Sequence, residues 1–136
     1  MAVYTHLSNE TIARVVAEDY AIGTLAFAVG IAEGVENSNY LVTTLHDGQE
    51  ERYILTLYEK RVRRDDLPFF MALMRHLHAK GIACPLPIAR RDGGVIGEIG
   101  GKPSAMVSFL QGQSRTLPEI AQVAEVGLMA ARMHMA

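Results

Sequence analysis

The chain has 136 residues, 49% of them hydrophobic and 21% charged, and its 13 basic and 15 acidic residues leave a formal net charge of -2. This length suits one domain and excludes a large multidomain machine, and the charge lacks the basic surplus typical of nucleic-acid binders. The single cysteine, Cys84, excludes an intramolecular disulfide and a zinc site built on several thiolates. With neither a signal-peptide pattern nor an apolar run long enough to span a membrane, we expect a soluble protein of the reducing cytoplasm, with no nucleic-acid or membrane partner.

The first elements are predicted to be a helix and an antiparallel meander. Ser8 is a candidate N-cap, and the apolar spacing behind it predicts a helix over residues 9–18. Three strands are predicted next, over residues 24–29, 39–45 and 52–59. The last two are joined by Asp47-Gly48, which is the strongest short hairpin signal.

The third predicted strand is partly apolar on both faces. Tyr53, Leu55 and Leu57 alternate with Ile54, Thr56 and Tyr58. This pattern indicates a sheet that is covered by a helix on one side and faces a cleft on the other. We expect the cover to be a helix over residues 66–79, capped by Asp65 or Asp66, with Pro68 in its first turn and Gly81 just past its end. Its predicted packing stripe is Phe69, Phe70, Leu73, Met74 and Leu77.

The rest of the chain is predicted to be an extended segment, a hairpin and a final helix. Two prolines keep residues 82–88 extended, and strands over 95–99 and 102–109 are expected to pair. A helix follows from residue 117 to about residue 134, with Thr116 as its cap. It is apolar on nearly every turn, so it is either the first helix of a further domain or a helix that folds back onto the sheet.

No assembled catalytic motif is visible in the sequence. The carboxylates of Glu33 and Glu36 are interpreted as solvated loop groups, and the basic run over 60–64 as a solvated strand end. The best local signal is the stretch 30–40, GIAEGVENSNY, because glycine permits close backbone approach and free amides with Asn and Ser side chains donate to phosphate oxygens. A generic hairpin loop is the alternative interpretation.

Four segments carry a resemblance to a known family. They are GIAEGVENSNY over 30–40, YILTLYEKR over 53–61, LPFF over 67–70 and CPLP over 84–87. In sequence and order they resemble bacterial homoserine kinases of the aminoglycoside-phosphotransferase-like, protein-kinase-like family, and the similarity runs from Met1 to the end.

The resemblance implies an α+β fold and a division of the chain. Residues 1–107 would form a protein-kinase-like N-terminal nucleotide-binding lobe, with about five antiparallel strands and a packed helix. Residues 108–116 would be the hinge or linker, and 117–136 the first helix of a truncated C-terminal lobe.

The implied activity is transfer of the γ-phosphoryl group of ATP to the hydroxyl of L-homoserine, in threonine biosynthesis, with Mg²⁺. The family's catalytic loop and metal ligands lie beyond the last helix, so the resemblance implies no catalytic residue in this chain, which is expected to be inactive alone. The alternatives are another small-molecule kinase of the superfamily, or a non-catalytic module that binds a nucleotide or a partner. Self-association through the C-terminal helix is a further expectation.

The resemblance also implies nucleotide-binding residues. The loop over the phosphates would supply Gly34, Val35, Asn37, Ser38, Asn39 and Tyr40. The hinge would offer the Ser108 carbonyl and the Leu110 amide to the adenine edge, and Ile54, Val42 and Val107 are candidates to sandwich the purine. Kinases commonly place a lysine on the third strand and a glutamate on the next helix, but here Thr56 takes the strand position and 66–79 has no Glu. Lys60 or Arg61 is then the candidate for the phosphate charge, with a solvated role equally open.

Overall fold

The computed structural model describes residues 5–32, 36–113 and 115–136. The helices are α1 (Asn9–Asp19), α2 (Leu67–Ala79), which follows a short 3-10 turn at Arg64–Asp66, and α3 (Ile120–Met135). The strands are β1 (Thr24–Gly30), β2 (Asn37–His46), β3 (Gln49–Tyr58), β4 (Gly97–Ile99) and β5 (Lys102–Ser108). They form a five-stranded sheet in the order β1-β2-β3-β5-β4, and every neighbouring pair is antiparallel. The predicted α+β class is therefore confirmed.

The β2–β3 hairpin is the longest ladder in the sheet. Its turn is Asp47-Gly48, both with positive φ (51° and 77°), as the Asp-Gly signal predicts. Pairing continues without a break from His46 opposite Gln49 to Asn37 opposite Tyr58. The predicted start of β2 at residue 39 is wrong by two residues, because β3 is long enough to pair with the preceding Asn-Ser pair.

The hydrophobic core lies between the sheet and α1. Ser8 caps α1 by accepting a hydrogen bond of 3.1 Å from the Thr11 amide, as predicted. The core cluster comprises Ile12, Val15, Val16, Tyr20, Ile22, Tyr40, Val42, Leu55, Leu57, Ile99 and Met106. Burying each of its aliphatic side chains contributes about 1.5–3 kcal/mol. The prediction that the 66–79 helix provides this cover is wrong, since the cluster draws on α1 and on no residue of α2.

Helix α2 packs through different residues from those predicted. Leu67, Met71 and Leu77 are its buried residues. Within the predicted stripe, Phe69, Phe70 and Leu73 are 64%, 42% and 41% exposed, so the predicted packing face is wrong in those three positions. Asp66 precedes the helix without a side-chain capping bond.

Helix α3 lies apart from the sheet core. It contains no buried residue, and its C-terminal end reaches α2 through a 2.8 Å hydrogen bond between His76 Nε2 and the Ala136 carbonyl oxygen. The helix begins at Ile120, where Glu119 and Gln122 form a capping box, so the predicted Thr116 cap is wrong. Of the two alternatives left open for this helix, folding back onto the sheet core is not observed in the described part of the chain, since no residue of α3 is buried.

No helix among the described residues is long and apolar enough to cross a membrane.

Candidate functional site

One face of the sheet is open and apolar, and we call it the cleft face. Its members stand directly opposite one another on neighbouring strands and so share a face: Val29 opposite Leu41, Leu41 opposite Ile54, and Ile54 opposite Val107. Phe27 joins this face two residues before Val29. Phe27 and Val29 are 50% and 54% exposed, and the other three are half-buried. Together they form an apolar surface that suits a flat aromatic ligand.

The neighbour of Leu41, Val42, lies on the other side. Val42 is fully buried in the core under α1, because successive residues of a strand point to opposite faces. The prediction that Val42 lines the cleft is therefore wrong, whereas Ile54 and Val107 do lie on the cleft face. Val29 and Leu41 are not among the predicted site residues, although the alternation from Ile54 identifies them once the strand register is known.

The cleft face becomes polar towards the loop that joins β1 and β2. Thr56 and Asn39 stand opposite each other, and the Thr56 hydroxyl donates a hydrogen bond of 2.8 Å to Asn39 Oδ1. Asn37 lies on the same face, two residues earlier, and its Oδ1 is buried without a hydrogen-bond partner among the described groups. A buried acceptor that lacks a donor is uncommon in folded proteins.

Ser38 and Tyr40 point away from the cleft face. Ser38 Oγ donates to Glu59 Oε1 over 2.7 Å and accepts from the Thr5 amide over 3.0 Å. The Tyr40 hydroxyl donates to the Thr5 carbonyl and accepts from the Leu7 amide. Within the range 34–40 that the resemblance assigns to a phosphate-covering loop, Asn37 to Tyr40 belong to a strand whose backbone pairs with β3.

Glu59 organises a polar cluster behind the sheet. Its carboxylate accepts hydrogen bonds from Ser38, Thr5 and Lys102. Burial by itself raises the pKa of Glu59, but the hydrogen bonds from Lys102, Ser38 and Thr5 outweigh it and lower the pKa below its ordinary value. This cluster carries no local sequence signal, because the three partners lie 21 to 54 residues from Glu59 along the chain.

The basic residues proposed for the phosphates lie at the surface beyond β3. Lys60 is exposed and lines a shallow hollow with Tyr58, Arg64 and Lys102, and it forms no ion pair within the described residues. Arg61 pairs with Glu36 over 3.3 Å, and both side chains are about half exposed or more. Such an exposed pair contributes little to stability.

The predicted hinge is anchored to the proline-rich segment. The Ser108 amide donates to the Leu86 carbonyl over 2.9 Å, and the Leu86 amide donates to Ser108 Oγ over 2.8 Å. Leu110 lies after the end of β5 in irregular backbone, and its amide makes no hydrogen bond within the described residues. The Arg52 guanidinium lies 4.6 Å from the centre of the Phe109 ring, so it joins the start of β3 to the hinge.

Gly34 and Val35, as well as Glu33, lie outside the described residues. Across the ranges that are described, no group of three or more His, Cys, Asp or Glu side chains converges to hold a metal ion. Burial raises the pKa of the Cys84 thiol, which disfavours its thiolate form.

Sequence comparisons match the chain to known proteins over its full length. The model of the APH phosphotransferase enzyme family matches residues 28–136. A protein named homoserine kinase in Agrobacterium fabrum (strain C58) is 49% identical over 136 residues, and one in Xanthobacter autotrophicus is 52% identical over 136 residues. In each case the match covers 100% of this chain and 41% of the relative, so the chain spans about two fifths of the length of these curated relatives.

A solved structure has a similar fold. The crystal structure of spectinomycin phosphotransferase APH(9)-Ia, in complex with ADP and spectinomycin, superposes with a TM-score of 0.63 at 14% identity. The match covers 84% of this chain and 34% of that one. At this identity the likeness concerns the fold alone, and it supports the kinase-like N-terminal lobe.

Proposed function

This chain belongs to the phosphotransferase enzyme family, whose model matches residues 28–136, and from this membership we propose its function. It is the nucleotide-binding part of an ATP-dependent kinase that phosphorylates the hydroxyl of L-homoserine, a step of threonine biosynthesis. The observation that carries this proposal is 49–52% identity, across all 136 residues, to proteins named homoserine kinase.

In this proposal the adenine ring lies against the cleft face. Leu41, Ile54 and Val107 provide the apolar contact, and half-buried side chains of this kind suit one side of a purine slot. The Ser108 carbonyl and the Leu110 amide would pair with the adenine edge. Two features support this role. Two hydrogen bonds hold Ser108 against Leu86, and the Leu110 amide makes no hydrogen bond within the described residues.

The phosphates would extend towards the polar end of the same face. Asn37, Asn39 and Thr56 lie there, and the backbone of Gly34 and Val35 would cover the phosphates. Ser38 and Tyr40 serve this site indirectly, because their side chains tie β2 to Thr5 and Leu7 on the opposite face. Lys60 stays a candidate for a peripheral phosphate contact.

The contribution of this chain to the reaction is binding and orientation. Phosphoryl transfer depends on positioned charge and an in-line arrangement more than on a protein nucleophile. Bound Mg²⁺ neutralises the charge of the phosphates. Its ligands and the group that orients the acceptor hydroxyl would come from the remainder of the longer protein, so residues 1–107 are proposed as the nucleotide lobe, 108–116 as the hinge and 117–136 as the first helix of the second lobe. We place the enzyme in the cytoplasm, where ATP is available.

A coupled ADP-release assay on the full-length protein tests this function. We expect activity with ATP and L-homoserine, and little with choline or an aminoglycoside in the same concentration range. Preference for another alcohol would assign a different acceptor within the family, since the described face contacts the nucleotide and not the acceptor. Nucleotide binding without turnover of any alcohol would favour a non-catalytic binding module.

A further inference from the structure

The hydrogen bond between Thr56 and Asn39 fixes the orientation of an amide on the cleft face. A side-chain amide has one acceptor oxygen and one NH₂ group with two donors. The Thr56 hydroxyl donates to Asn39 Oδ1 over 2.8 Å, so the oxygen is engaged with β3. The two N–H bonds of Nδ2 are thereby directed away from the Thr56 hydroxyl, and Nδ2 has no protein acceptor within the part of the chain that the structure describes.

The position of Asn39 places these donors at the polar end of the cleft face. Its backbone carbonyl accepts a hydrogen bond of 2.8 Å from the Ile31 amide, immediately beyond the end of β1. Asn39 therefore lies where the β1–β2 connection leaves the sheet. Its side chain is half-buried, so the amide is partly shielded from water yet still accessible to a ligand.

This end of the cleft face offers no cation from the strands. The cleft-face positions of β2 and β3 near the connection are Asn37, Asn39, Leu41, Ile54, Thr56 and Tyr58. Arg52 shares the face but stands four residues before Thr56, stacked on Phe109 at the hinge. An anion bound at the polar end therefore meets neutral amide donors from the sheet instead of an ammonium group.

We propose that Asn39 Nδ2 donates a hydrogen bond to the phosphate chain of the bound nucleotide, and that Thr56 is the positioning residue that holds the Asn39 amide. The pair takes over the phosphate contact that a third-strand lysine makes in other kinases. This inference rests on the proposed function, because it requires a nucleotide on the cleft face. A hydrogen bond to a charged phosphate is stronger than a neutral one, so its loss is measurable in affinity.

The test compares ADP with adenosine in the full-length protein, by calorimetric titration of wild type and three variants. Thr56→Val keeps the shape and removes the donor, and we expect ADP affinity to fall about tenfold while adenosine affinity is unchanged. In Asn39→Asp the side chain still accepts the hydrogen bond from Thr56, but it loses both N–H donors and adds a negative charge. Its ADP affinity should therefore fall further than that of Thr56→Val. Thr56→Ser keeps the hydroxyl donor, so its ADP affinity should stay near the wild-type value.

Thr44→Val is the matched control. Thr44 lies on β2, the strand of Asn39, and it is fully buried with no hydrogen-bond partner for Oγ1 in the described structure. Its substitution should therefore leave the ratio of ADP to adenosine affinity unchanged. If wild type binds ADP but Thr56→Val and Asn39→Asp keep the wild-type ratio, the inference fails and the proposed function stands. Equal losses for ADP and adenosine would also overturn it, since they indicate a structural role. If wild type binds no adenine nucleotide, the proposed function fails first.

Discussion

Ser38 Oγ lies 2.7 Å from Glu59 Oε1, in a hydrogen bond that joins the start of β2 to the residue just after β3. The same carboxylate accepts from Thr5 and Lys102, which come from the N-terminal segment and from the first residue of β5. Only 10% of the Glu59 side chain is exposed. The cluster therefore joins four parts of the chain on the side of the sheet opposite the Asn39 and Thr56 side chains.

The free energy of unfolding of the Glu59→Gln variant should change less between pH 7 and pH 3 than that of wild type. The pKa of Glu59 in the folded protein lies below its ordinary value of 4.5, so its carboxylate stabilises the fold above that pH. This stabilisation is lost as the pH falls from 4.5 through the lower folded pKa. At pH 7 we expect Glu59→Gln to cost about 1–2 kcal/mol, because Lys102 loses its charged partner. The measurement is urea unfolding between pH 7 and pH 3.

The control for this experiment is Glu50→Gln, which changes an exposed glutamate of β3. It should unfold like wild type at neutral pH. Near pH 3 the difference in stability between Glu59→Gln and wild type should have shrunk, because below pH 4.5 the unfolded wild-type chain takes up the proton more readily than the folded protein, whose Glu59 pKa is lowered. A difference that stays constant across the whole range would contradict the role assigned to Glu59.

Leu41→Ala and Val42→Ala should affect different properties, although the residues are neighbours. The first should mainly weaken ATP binding, and the second should mainly lower stability. Val42 is fully buried under α1, so its truncation should destabilise the fold by about 2 kcal/mol or more. Leu41 is half-buried on the cleft face, so its truncation should weaken ATP binding several-fold at a smaller cost in stability. Thermal unfolding and ATP titration of both variants provide the measurement. Equal effects on binding would contradict the assignment of the two faces.

Gly23→Ala should destabilise the protein more than Gly48→Ala. Both glycines have positive φ, +97° and +77°. At Gly48 an added Cβ meets nothing within 4 Å, so we expect only the backbone cost of about 1–2 kcal/mol. At Gly23 it would lie 2.1 Å from the carbonyl oxygen of Leu45, which cannot move without disturbing the β1–β2 ladder. Comparable urea midpoints for the two variants would contradict this prediction.

A polypeptide that ends at Ala136 should self-associate through α3. Ile120, Val123 and Val126 are 90%, 57% and 70% exposed, which is a large apolar surface for a monomer. Replacing both valines with lysine should reduce association, as measured by sedimentation velocity. Ala121→Lys adds a positive charge to the same helix without removing a large apolar side chain, and it should associate like wild type. Association that is unchanged by the valine substitutions would assign it to another surface.

Local chemistry predicted most of the elements. Ser8 caps the first helix and Asp47-Gly48 turns the hairpin, because each needs only its immediate neighbours to take the observed conformation. The alternation along β3 was also predicted, and Leu55 and Leu57 do point into the core while Thr56 points to the opposite face.

Tertiary contacts were harder to predict. An apolar stripe shows that one face of a helix is buried, but it does not show which surface covers that face. For this reason the sequence predicts α2 as the cover of the sheet, whereas the structure has α1 in that position. The exposed Phe69 and Phe70 show the same limit. For the candidate site, the resemblance named Asn39 and Thr56, but their shared hydrogen bond became visible only when the register set them opposite each other.

The order of the strands has a consequence for biosynthesis. All members of the core cluster lie between Ile12 and Met106, and β1, β2 and β3 pair with their neighbours in sequence. Contacts between segments that are close in sequence form quickly, and domains tend to fold as units from the N-terminus during synthesis. We therefore expect the sheet and α1 to assemble on the ribosome soon after β5 has been translated, so that the cleft face is formed before α3 is added.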